Sequence, residues 1–91
     1  MNDTSKSHPA VALALDGFAK YKNGSLDIAG LGSSLSSACA LLENSLPKPV
    51  QEALEWADGE LESIRFTVDA KNHAREVERI RAKVEGALSG R

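Results

Sequence analysis

The sequence predicts an all-α protein, an antiparallel up-down bundle of three or four helices over about 9–22, 26–45, 49–68 and 70–88. Three observations carry that expectation. Of the 38 apolar residues in the 91-residue chain, 13 are alanine against five valines and three isoleucines, a balance that favours helix over strand. The apolar residues recur at spacings of three and four, the period of a helix with one buried side. Glycine and proline fall between the periodic segments, where they end helices or open them. A chain this short buries roughly 60–65% of the surface its unfolded form exposes, so its core is thin and one domain is expected.

Residues 1–8 are polar and read as a flexible N-terminal tail, leaving 9–91 as a single helical domain. Ser7 or His8 is the candidate cap of the first helix, with Pro9 at the first helical position, where its missing N–H is not needed. Val11, Ala14, Leu15, Phe18 and Tyr21 share one side of that helix. Asn23 and Gly24 supply its stop, and a turn this short makes the next helix antiparallel. Ser25 is a suitable N-cap for the second helix, and Asp27 lies in its first turn, where a carboxylate complements the helix dipole.

The second helix has the cleanest period: Ile28, Leu31, Leu35, Ala38, Cys39, Leu42 and Leu46. Its opposite face is built from Gly30, Gly32, Ser33, Ser36 and Ser37, which weaken helicity and read as a solvent face, although they would permit close backbone approach. Pro47 and Pro49 then interrupt the helix. Beyond them no proline occurs, so a single helix from 49 to 88 is conceivable. The apolar phase opposes it. Val50, Ala53, Leu54, Ala57, Leu61, Ile64 and Val68 form one stripe, and Phe66, Ala70, Ala74, Val77, Ile80, Val84 and Leu88 form a second, roughly 170° away on a straight helix at about 100° per residue. A break over 67–72, with Asp69 as candidate cap, yields four helices. Without it, the second stripe has no cover within the chain and calls for a homodimer.

Composition also excludes functions. The formal net charge of −2 gives no global attraction to nucleic acid or anionic lipid. A single cysteine cannot form an internal disulfide, which points to a reducing compartment. The longest apolar run, 10–15, is far short of the roughly 20 residues of a membrane span, and the amino terminus has no signal pattern. A bacterial-type cytoplasmic protein is the expectation, with no membrane and no nucleic acid as partner. Arg75, Arg79, Arg81 and Lys83 are interleaved with Glu76, Glu78 and Glu85 at spacings that suit intrahelical ion pairs, not a DNA-binding stripe.

Catalytic chemistry has no visible constellation either. Cys39 sits within an apolar stripe, where a thiol is inert. Gly30 and Gly32 follow no strand and precede no lysine, so they form no phosphate loop. His8 and His73 are too far apart for zinc-ligand spacing, and the carboxylates of 52–62 lack the nearby histidine of di-metal bundles. No enzyme activity, metal or cofactor is expected.

The charge is nonetheless distributed unevenly. Residues 43–62 hold six acidic and one basic residue, whereas 65–91 hold seven basic and four acidic. Glu52, Glu55, Asp58 and Glu62 lie away from the core stripe of the third helix, close to Trp56 and Phe66. In a chain with four aromatic residues, this acidic surface with two aromatics suits docking of a basic protein partner.

Residues 18–31 combine the aromatic-containing end of a helix, the turn at Gly24 and a helix start with Leu26, Ile28 and Leu31. Over about a sixth of the chain this resembles the opening of small helical bacterial immunity proteins, in which a later acidic helix faces the toxin. The resemblance implies an antitoxin-like inhibitor of a nuclease or other basic toxin domain. Glu52, Glu55, Trp56, Asp58, Glu62 and Phe66 would then be its contact residues. A self-associating structural or regulatory protein, homodimeric through the 66–88 stripe, is the alternative.

Overall fold

A computed structural model describes residues 8–42 and 46–88. Their order is α1 (Pro9–Lys22), α2 (Ile28–Ala40), α3 (Lys48–Thr67), a 3₁₀ turn (Ala70–Asn72) and α4 (His73–Leu88). Among the described residues there is no strand, and no helix is long and apolar enough to cross a membrane.

α1 begins on His8, whose extended backbone leaves ring Nδ1 to accept the Ala10 N–H at 3.1 Å. The helix ends in a paired C-terminal closure. The Ser25 N–H reaches back to the Lys20 carbonyl at 2.8 Å and the Gly24 N–H to that of Tyr21 at 3.2 Å. That geometry needs a left-handed residue between, and Gly24 supplies it with φ +88°.

α2 starts later than the sequence suggests. Asp27, not Ser25, is the cap, its Oδ1 accepting the Gly30 N–H at 2.8 Å. Ser25 instead donates its backbone N–H to the Asn23 side chain within the turn. The helix ends at Ala40, with Leu41 as its cap, earlier than position 45; Glu43, Asn44 and Ser45 lie outside the described residues, as do positions 1–7 and 89–91.

Pro47 and Pro49 flank the start of α3, where the Gln51 side-chain amide donates to the Leu46 carbonyl at 2.8 Å. α3 ends at Thr67 because Val68 and Asp69 adopt extended backbone, with ψ of 137° and 143°. Asp69 makes no side-chain cap bond. The break is held instead by His73, whose Nε2–H donates to the Val68 carbonyl at 2.8 Å.

This reversal folds α4 back along α3. Val77, Ile80, Val84 and Leu88 join the core formed by Val11, Phe18, Leu31, Leu35, Leu54, Leu61 and their neighbours. The second stripe is therefore covered within the chain, which removes the uncovered face on which a homodimer through 66–88 was based. Phe66, Ala70 and Ala74, assigned to that stripe by spacing, are exposed; Phe66 precedes the break and follows the phase of α3.

At Gly17, α1 makes a close local approach to α2. A methyl group on Gly17 would come within 2.8 Å of Ser34 Cβ, so the small residue that permits close approach is on α1. Gly17→Ala is expected to destabilise the fold by about 1–3 kcal/mol through overpacking. Gly59, exposed and with open space around it, is the control: Gly59→Ala should stabilise by roughly 0.5–1 kcal/mol through helix propensity. Urea midpoints of the two variants measure both effects.

Candidate functional site

α3 packs with one face on the core and is flanked by α2 and α4. Its six candidate contact residues therefore distribute over three directions. Glu52, Glu55, Glu62 and Phe66 are exposed. Glu55, Glu62 and Phe66 recur at spacings of seven and four residues, which aligns them along one side of a helix. Trp56 and Asp58 turn to opposite flanks.

On the α4 flank, the Trp56 indole is half-buried against the core. Lys83 Nζ stands 4.6 Å and the Arg79 guanidinium 5.7 Å from its ring centroids. Arg79 also bridges Glu60 of α3 at 3.0 Å and Glu76 of its own helix at 2.9 Å. Those carboxylates hold the guanidinium pKa above its ordinary value through their hydrogen bonds. Glu52 borders the adjoining cleft, about 590 Å³, whose lining includes Pro49, Trp56 and Lys83.

On the α2 flank, Asp58 accepts a 2.9 Å hydrogen bond from Ser36 Oγ. The small face of α2 is thus more than a solvent face: Gly32, Ser33, Ser36 and Ser37 line a groove of about 390 Å³ with Asp58, Glu62 and Arg65. Cys39 lies on this side too, its thiol donating to the Leu54 carbonyl at 3.5 Å. Burial, with Asp58 and Glu55 adding to it, pushes the thiol pKa up to about 11. The thiolate needed for nucleophilic chemistry is suppressed there.

The outward side of α3 is left as a ridge. Phe66 is 72% exposed, and the Arg65 guanidinium lies 5.2 Å from its ring centroid. Glu52, Glu55 and Glu62 form no ion pair among the described residues, so their charge is presented to solvent. Among the described residues no group of three His, Cys, Asp or Glu is placed to hold a metal ion. The ridge thus presents three carboxylates and one aromatic ring to solvent.

Spacing alone does not mark Arg65, Arg79 and Lys83 as parts of this region. Arg79 and Lys83 are four residues apart on α4, as Trp56 and Glu60 are on α3. Two such pairs zip together only once the hairpin brings the helices side by side. The ion-pair pattern of α4 is accurate for Arg79, which binds Glu76, and for Arg81, which binds Glu78 and Glu85, but Lys83 lies over Trp56. Comparisons with protein-family models, curated proteins and solved structures each find no match to this chain.

The two aromatics of α3 should respond oppositely to truncation. Trp56→Ala is expected to lower stability by about 2 kcal/mol or more, since a large packed side chain is lost. Phe66→Ala should change it by less than about 0.5 kcal/mol. Urea unfolding followed by far-ultraviolet circular dichroism distinguishes them.

Proposed function

We propose that this chain is a non-enzymatic protein–protein interaction module, a small inhibitor of the immunity type that binds and neutralises a cognate basic toxin domain in the cytoplasm. The observation that carries this is Phe66, 72% exposed and aligned with Glu55 and Glu62 on the outward side of α3. Leaving a large apolar side chain in water forgoes burial worth about 1.5–3 kcal/mol. A partner's pocket recovers it, and aromatic anchors within a polar rim are where binding energy concentrates. The unpaired carboxylates add steering and select a positively charged partner. Trp56 and Asp58 serve this surface from its flanks, by fixing α3 against its two neighbours, while Glu52 extends it towards the start of the helix.

The test is binding of the separately purified product of the adjacent gene, at low and high salt. Wild-type protein is expected to bind. Phe66→Ala, and Glu55→Lys combined with Glu62→Lys, should each weaken binding at least ~10-fold with the circular-dichroism spectrum unchanged, and salt should weaken the wild-type complex. Full affinity in both variants would place the interface elsewhere, and no binding by the wild type would contradict the immunity assignment.

A further inference from the structure

Three of the four seams between neighbouring helices carry a lock. Gly17 lets α1 close onto Ser34 of α2. Ser36 and Cys39 of α2 bond to Asp58 and to the Leu54 carbonyl of α3. Arg79 and Lys83 of α4 grip Glu60 and Trp56 of α3. The fourth seam, α1 against α4, is different: the two helices meet sparsely. An open cavity of about 380 Å³ lies between them, lined by Phe18, Tyr21, Ala74 and Val77 among others. A second, about 330 Å³, continues along the seam past Leu15 and Arg81. The ion pairs of Arg81 run to Glu78 and Glu85 on its own helix, and that of Lys20 runs to Asp16 on its own; across the seam Lys22 attracts Glu78 through space, with no ion pair or hydrogen bond between them among the described residues.

Side chains that border a gap lose the dispersion contacts a packed neighbour would supply, and regions with few buried contacts open well below the free energy of global unfolding. We infer that the bundle opens along the α1–α4 seam, the α1–α2 and α3–α4 hairpins parting about the α2–α3 contact while each hairpin stays intact. The motion is a conformational device independent of the α3 ridge, which lies on the outward side of one moving half. Opening uncovers Phe18 and Val77, only 3% and 4% exposed in the closed bundle, and so turns a shallow seam into an apolar cleft.

Thiol protection tests this in a Cys39→Ser background. Val77→Cys places a thiol at the seam, and Ala38→Cys places one on α2, where the native residue is fully buried. Each labelling rate is normalised to that of the unfolded variant. Below the unfolding midpoint, the seam thiol is expected to label at least ~10-fold faster than the α2 thiol, with a shallower urea dependence, because parting the hairpins exposes less surface than global unfolding does. Val84→Cys, two turns further along α4, is the second seam-side reporter should Val77→Cys alter the circular-dichroism spectrum. Equal rates with the same steep urea dependence would show that thiols are reached through global unfolding alone and would overturn the inference.

Discussion

Two residues decide the shape of this protein. Val68 and Asp69, with ψ near 140°, interrupt what sequence composition would allow as one helix of about forty residues. They turn the chain so that a stripe pointing away from the core on a straight helix points into it. Without that reversal the core loses Val77, Ile80, Val84 and Leu88 together, a large loss for a chain of this length, whose stability margin is small. The reversal also sets the acidic segment of the chain beside the basic one. The acidic third helix and the mixed fourth run antiparallel, and the Glu60, Arg79 and Glu76 network closes between them.

The same reversal sorts the side chains of α3. A helix at the middle of three contacts has a core face, two flanks and one outward side. Trp56 falls on a flank, where the cations of α4 cover its ring and desolvate it in part. Phe66 falls on the outward side, where its ring stays largely in solvent. Two aromatics ten residues apart on one helix thus acquire different roles, one tying α3 to α4 and one available to a partner. The near-neutral total charge conceals this division: most of the basic side chains of α4 are occupied by carboxylates or by the Trp56 ring, whereas Glu52, Glu55 and Glu62 face solvent.

Much of the fold is legible in the sequence because it depends on period and punctuation. The first three apolar stripes, the turn at Gly24 and the proline boundary before α3 follow from local spacing, whereas over 49–88 spacing gives two stripes out of phase and leaves one helix or two open. What spacing does not give is the identity of a neighbour. It measures how far Trp56 stands from the core stripe but not that Lys83 will lie over it. Nor does it tell that Gly17, unremarkable within α1, meets Ser34. Caps are similarly ambiguous where several capping residues crowd together: Ser25 and Asp27 both suit the role, and Asp27 takes it, directly before the first helical residue Ile28, while Ser25 belongs to the turn with Asn23. Phe66 illustrates the remaining difficulty, since its period fits the fourth stripe while its position before the break commits it to α3.

The central claim is that the reversal at Val68 and Asp69 satisfies the α4 stripe within one chain. Small-angle scattering of the purified protein at tens of micromolar tests it most directly. The account requires the mass of a single chain, 9.7 kDa, with a compact core whose described residues span 39 × 23 × 22 Å. A concentration-independent mass of twice that value, with an elongated particle near the roughly 60 Å that a continuous helix from 48 to 88 would reach, would contradict it.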